Sequence, residues 1–154
     1  VGGHCIAVDP WFIVASAPDE ARIVRAAREI NDGKPKWVLN KVNEAVEAFL
    51  KQYPKLSSED VTIACYGLAF KPDIDDLRES PALQIVTDLS QSHDGPILAI
   101  EPNVSSLPSG LGHTELADVE TAFQRADVHV YLVAHREFKE VPKPPRFVID
   151  TVGL

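Results

Sequence analysis

Residues 61–89 read "VTIACYGLAFKPDIDDLRESPALQIVTDL". The near-continuous apolar run from Val61 to Tyr66 has the length of a strand buried on both faces, and it stops at Gly67. A polar loop containing Pro72 follows, and then Ser80 and Pro81 stand together. Serine at the N-cap and proline at the first helical position are a helix start, because the hydroxyl accepts an orphan backbone N–H and proline has none to waste. Strand, loop and helix in that order are the opening half of a β-α-β unit.

The pattern continues downstream. Strands are predicted over "PILAIEP" (96–102), "DVHVYLVAH" (127–135) and "RFVIDTV" (146–152), with helices over "ELADVETAFQRA" (115–126) and "REFKE" (136–140). Alternation of this kind needs right-handed crossovers and implies a Rossmann-like, mostly parallel sheet. Upstream, residues 1–14 form a glycine turn leading into apolar residues, and from Pro18 the period becomes helical. "PDEARIVRAAREIN" (18–31) carries acids in its first turn, and "GKPKWVLNKVNEAVEAFLKQY" (33–53) spaces Val38, Val42, Ala45, Val46 and Phe49 three to four residues apart. Gly33 and Pro35 predict a break or kink between the two. The breaker-rich "PKLSSED" (54–60) is the expected boundary, so residues 1–53 form a helical linker or dimerisation segment and 54–154 the sheet domain of an α/β protein. The apolar positions over 18–52 exceed what one small sheet can cover, which predicts pairing with a second copy.

Composition limits the partners. Fifteen basic against 23 acidic residues give a net charge of -8, which opposes binding to nucleic acid or to anionic membranes. No apolar run approaches the roughly 20 residues of a membrane span. Cys5 and Cys65 are too few for a disulfide framework, and the five histidines show no metal-cage spacing, so a reducing cytoplasmic setting without a metal is expected.

Two places carry candidate chemistry. Lys71 and Arg78 sit in the loop after the first strand, where open parallel sheets bind ligands, among Asp73, Asp75, Asp76 and Glu79. Either Lys71 receives an anion such as a diphosphate, or the charges pair among themselves; residue types alone favour the second. "GLAFKP" and "GLGHTEL" both lack the glycines of a dinucleotide fingerprint. At the start, "VGGHCIAVDP" places Gly2 and Gly3, which permit close backbone approach, beside Cys5 and Asp9. A thiolate can attack a carbonyl and hold a covalent adduct, and a nearby carboxylate can assist its hydrolysis. The plain alternative is a small residue at a domain edge and a turn-forming aspartate. His4 beside Cys5 suggests a cysteine hydrolase, but no oxyanion-hole sequence or third partner accompanies it.

"GGHCIAVDP", "AREIND" and "GLAFKPDIDDLRESPA" together resemble the UDP-glucose/GDP-mannose dehydrogenase family, in wording closest to its UDP-N-acetyl-D-mannosamine branch. The resemblance spans the chain and implies the C-terminal portion of a longer enzyme. A start within a motif and without Met is expected of such a piece. The resemblance implies an NAD-dependent oxidation of a sugar C6 alcohol to a carboxylate in two steps, with NAD held by a preceding domain. It makes Cys5 the nucleophile that carries a thiohemiacetal and then a thioester, and Asp9 the acid that assists hydrolysis. It sets Gly2, Gly3, Phe70 and Lys71 around the UDP-sugar, with Lys71 near the phosphates. Two positions depart from the family pattern: Val8 replaces a common lysine, as in the mannosamine branch, and Val152 replaces a common arginine. A free-standing nucleotide-sugar-binding or dimerisation module without catalysis is the second reading.

Overall fold

A computed structural model describes residues 2–144 and 147–154. In chain order the elements are α1 (Asp9–Ser16), α2 (Arg22–Asp32), α3 (Lys34–Gln52), β1 (Ile63–Tyr66), α4 (Pro81–Ser92), β2 (Ile97–Ile100), β3 (Thr114–Leu116), α5 (Val119–Arg125), β4 (Val128–Tyr131), α6 (Arg136–Lys139) and β5 (Val148–Asp150). The five strands form one sheet in the order β3-β2-β1-β4-β5, and every pairing is parallel. The chain winds outward from β1 on one side and from β4 on the other, so the winding reverses between β1 and β4. That is the topological switch point, where such sheets bind ligands at the strands' carboxyl ends.

Alternate residues along each strand face opposite layers. Ile63 and Cys65, with Ile97, Ala99, Val128 and Val130, pack against α3 and α4. Ala64 and Tyr66, with Leu98, Ile100 and Tyr131, pack against Ala122 of α5 and Phe138 of α6. Both faces are covered, which is why β1 and β2 read as unbroken apolar runs and β4 is interrupted only by His129. The second face adds an aromatic stack, Tyr66 on Tyr131 at 4.4 Å, with the Tyr66 hydroxyl 2.9 Å from His129 Nδ1.

The α4 start matches its sequence signal. Ser80 Oγ accepts from Leu83 N–H at 3.3 Å and donates to the Leu68 carbonyl at 2.6 Å, joining the helix cap to the loop after β1. Three differences from the sequence expectations have local causes. Residues Asp9–Ser16 form a helix of their own, with Asp9 and Pro10 in its first turn, and α2 begins only at Arg22 after a turn at 18–20. Thr114–Leu116, expected to lie outside or at the start of a helix, is instead the edge strand β3, whose "TEL" lacks an apolar run because only one side of it is paired. Helix α5 starts later, capped by Asp118, which accepts from Thr121 N–H at 2.7 Å. Of the strand expected over 146–152, Val148–Asp150 is β5, and Arg146 lies outside the described residues.

Gly33 alone separates α2 from α3 and is itself in helical geometry, so the expected interruption is one residue long. The α3 stripe of Val38, Val42, Val46 and Phe49 is buried in the same core as the sheet. Those side chains are therefore covered within the chain. The three most exposed large apolar residues among those described lie instead on α1 and α2: Phe12 is 66% exposed, Ile23 85% and Ile30 77%.

Candidate functional site

A cleft of about 480 Å³ opens at the carboxyl ends of β1, β4 and β5. Its walls are Ala69, Phe70, Lys71 and Pro72 after β1, Leu132 to Ala134 after β4, and Thr151 and Val152 after β5. Pro81, Ala82 and Ile85 of α4 and Asn31, Lys34, Pro35 and Val38 of the α2–α3 junction complete it, with Gly2 at the rim. The size and the mostly apolar lining with a few polar groups suit a small-molecule site.

Gly67 packs the end of β1 behind the cleft wall at Val133. Its φ is +94°, and a Cβ there would stand 2.4 Å from Val133 Cβ, so the end of β1 can close on β4 only as glycine. Beyond it the loop projects Phe70 and Lys71, with the Lys71 ammonium 5.7 Å from the Phe70 ring centroid. Lys71 and Lys34 are the two charged residues of the wall, and Lys34 Nζ rests 3.4 Å from the Trp37 ring centroid. Sequence reasoning found Lys71 but not Lys34, Asn31 or Thr151. Their contribution depends on how the α2–α3 junction and β5 pack, which residue types in those stretches do not announce.

The N-terminal turn docks on the far end of the same loop. Gly3 N–H donates to the Glu79 carbonyl at 3.0 Å. A Cβ on Gly2 would lie 2.3 Å from Pro81 Cδ, and one on Gly3, whose φ is +92°, 2.9 Å from the Phe70 ring. The two glycines thus permit close approach to protein, and Gly3 backs the ring of Phe70. The two sequence motifs, far apart in the chain, are one contact surface.

Cys5 is exposed on this turn, and Asp9 N–H donates to the Cys5 carbonyl at 2.8 Å as α1 begins. Neither Cys5 nor Asp9 lines the cleft, whereas Gly2, Phe70 and Lys71 do. Arg28 of α2 braces the turn from behind: its guanidinium donates to the Ile6 carbonyl at 3.3 Å and pairs with Asp32. Arg78 lies within electrostatic reach of Cys5 and clasps Asp76 through Nε and Nη2 at 2.7–3.2 Å. That clasp holds the Asp76 carboxyl down at about 2. Part of the acidic loop is therefore internally paired, while Lys71 stays turned to the cleft.

Beneath the loop, Glu101 at the end of β2 is buried and accepts from Leu68 N–H (2.7 Å), Ala69 N–H (3.0 Å), Asn103 N–H (3.1 Å) and His135 Nε2 (3.0 Å). Burial alone would raise its carboxyl, but the bonds from His135, Leu68, Asn103 and Ala69 outweigh it and hold the group at about 2. Among the described residues, the grouping with metal-ligand types is Asp73, His135 and Glu137. Its imidazole Nδ1 already accepts from Asp73 N–H at 2.9 Å.

Residues 64–154 match the sequence model described as "UDP-glucose/GDP-mannose dehydrogenase family, UDP binding domain". The whole chain is 54% identical to a UDP-N-acetyl-D-mannosamine dehydrogenase of Salmonella typhi, covering 37% of that protein, its C-terminal part. It is 48% identical, again over its full length, to an NDP-N-acetyl-D-galactosaminuronic acid dehydrogenase of Ralstonia nicotianae, of which it covers 35%. Its fold superposes on 30% of a UDP-N-acetyl-mannosamine dehydrogenase from S. aureus with a TM-score of 0.69, at 35% identity over 92% of this chain. The chain thus spans little more than a third of the length of the curated relatives it matches. With the matched domain, the parallel sheet and the cleft at its switch point in agreement, the chain belongs to the UDP-glucose/GDP-mannose dehydrogenase family.

Proposed function

We propose that this chain is the UDP-sugar-binding portion of an NAD-dependent dehydrogenase that oxidises the C6 alcohol of UDP-N-acetyl-D-mannosamine to a carboxylate. The observation that carries the reading is the convergence of Phe70, Lys71 and the Gly2–Gly3 turn on one cleft at the switch point. Phe70 offers a ring for stacking the base, and Lys71 with Lys34 offers positive charge to the diphosphate. Those two lysines supply cations on a wall where Val152 supplies none.

Cys5, presented at the surface one turn from the cleft rim, holds the C6 carbon first as a thiohemiacetal and then as a thioester. Water, assisted by Asp9, cleaves the thioester, releasing the carboxylate and restoring the thiol. The oxidations draw on NAD, and the residues present do not fit that cofactor. The carboxylate at the end of β2, which in a dinucleotide-binding sheet would meet the ribose, is consumed by loop amides and His135. No glycine-rich turn runs from β1 straight into α4; the chain travels through residues 67–80 first. NAD is accordingly assigned to a part of the parent protein outside these residues, and the isolated chain is expected to bind UDP-sugar without turning it over.

The division into 1–53 and 54–154 is a functional one in this reading, the first part bringing the nucleophile and a pairing surface, the second the nucleotide site. Homodimerisation is assigned to residues 18–52, with the exposed face of α2, carrying Ile23 and Ile30, as the contact. A cytoplasmic location is inferred from the unpaired cysteines, and no helix among the described residues is long and apolar enough to cross a membrane.

The test is calorimetric titration of UDP, UDP-N-acetyl-D-mannosamine and NAD into the chain. Binding of the first two and not of NAD is expected, and NAD binding alone would contradict the assignment. Lys71→Ala is expected to weaken UDP several-fold while leaving uridine affinity nearly unchanged, because only the former presents phosphates. An equal loss for both ligands would remove Lys71 from the phosphates.

A further inference from the structure

The loop that carries Phe70 and Lys71 is held from below at both ends by one buried pair. Glu101 receives the amides of Leu68 and Ala69, just before Phe70. His135 receives the amide of Asp73, just after Pro72, on Nδ1 at 2.9 Å, while its Nε2 donates to Glu101 at 3.0 Å. Both side chains are buried, His135 completely. The imidazole can make these two bonds together only with its proton on Nε2, so accepting from Asp73 and donating to Glu101 fix one neutral tautomer. Asn103 Nδ2 closes the network, 3.1 Å from Glu101 and 3.2 Å from His135 Nδ1.

The far end is held in an otherwise unfavourable shape. Asp73 has φ of +61°, and its carboxylate accepts from Arg136 N–H at 3.0 Å and pairs with the Arg136 side chain at 3.2 Å. A left-handed aspartate persists when its surroundings over-determine it. Here the amide and the carboxylate of one residue are both bonded to consecutive residues after β4. Leu132, Val133 and Ala134, immediately before His135, are themselves cleft wall. One side chain therefore ties the end of β4, the end of β2 and the loop after β1 into a single frame around the site.

We infer that His135 is a positioning residue of the nucleotide site: bonded to Glu101 and Asp73, it sets where Phe70 and Lys71 stand in the cleft. The inference rests on the cleft being the UDP site, as proposed above. It assigns to the "VAHREF" segment, which the sequence offered only as a strand end and short helix, a part in ligand affinity.

The variants separate the two bonds. His135→Asn keeps an acceptor close to the place of Nδ1; His135→Leu keeps neither bond. UDP is titrated into the unaltered chain and both variants, and amide exchange is followed at Leu68, Ala69 and Asp73. His135→Leu is expected to lose at least tenfold in UDP affinity and most protection at Asp73, and His135→Asn to recover much of both. In a Phe70→Ala/Lys71→Ala background, His135→Leu is expected to cause little further loss, since residues acting through one another are not additive. Unchanged UDP affinity in His135→Leu, or the same tenfold loss repeated in that background, overturns the positioning role. If the leucine variant does not fold, His135→Gln, which keeps only the donor to Glu101, takes its place with the same expectations. UDP failing to bind the unaltered chain overturns the nucleotide reading instead. Unchanged Asp73 protection in the variant overturns the pin, whatever UDP does.

Discussion

A thiol reacts according to how much of it is thiolate and whether a reagent reaches it. Cys65 fails on both counts: it is fully buried in β1, and burial pushes its thiol up to about 12. Cys5 stands exposed on the Gly3 turn. Iodoacetamide at pH 8 is therefore expected to give one adduct on the native chain, located at Cys5 by peptide mass. Modification of Cys65 at a comparable rate would show that the β1 core opens far more readily than its packing implies. The same residue scale explains the glycine pair. Gly3→Ala drives a Cβ toward the Phe70 ring from a backbone of positive φ, so it is expected to cost about 1–2 kcal/mol and to weaken UDP. Chemical denaturation with a parallel UDP titration measures both.

Among the elements, α4 shows how a local signal becomes a long-range one. The Ser80–Pro81 start is legible in the sequence because capping is a matter of neighbours in the chain. The structure adds a second bond from the same hydroxyl to the Leu68 carbonyl. Ser80→Ala loses a cap and strands a buried carbonyl, together about 2–3 kcal/mol, which urea denaturation can measure. A loss below about 0.5 kcal/mol would mean that water replaces the hydroxyl. Helix α3 was legible in its period but not in its partner. The sequence expects the apolar positions over 18–52 to exceed what one sheet covers; the α3 stripe is in fact buried in the sheet's core beside α4, β4 and β5, and the surplus is the exposed face of α2. The three-residue edge strand β3 was missed because strands are recognised by apolar runs, and an edge strand needs none. Helix α1 was missed although Asp9–Pro10 is a fair helix start, since "WFIVAS" has no amphipathic period to mark it.

At the scale of the whole molecule, the exposed side chains of α1 and α2 and the buried network under the cleft make separate predictions. Phe12, Ile23 and Ile30 are left in water by this chain. The proposed dimer predicts that light scattering at rising concentration detects a twofold mass. Ile23→Glu/Ile30→Glu should abolish it without disturbing UDP binding, because neither residue touches the cleft. Acid stability reports the network. The Glu101 carboxyl sits at about 2 in the fold against an ordinary 4.5, so its contribution is complete above about pH 4.5 and is lost as pH falls toward 2. The shift corresponds to on the order of 3 kcal/mol. Unfolding free energy is expected to drop through that window, and Glu101→Gln should flatten the drop while lowering stability near neutrality.

The α/β class, the alternation of strand and helix, the α4 cap and the family are legible in the chain, because each rests on short-range chemistry or on a contiguous motif. "GGHC" and "FKPDIDDLRESP" also marked the residues worth testing, since thiol, glycine pair and lysine are recognisable as types. Tertiary structure alone decided that those motifs touch through Gly3 and Glu79, and that Lys34 joins Lys71 on one wall. It alone placed Glu101 and His135 beneath the loop. These contacts join residues more than thirty positions apart, brought together by the crossovers of a parallel sheet, and no local pattern in the chain encodes which strand end meets which.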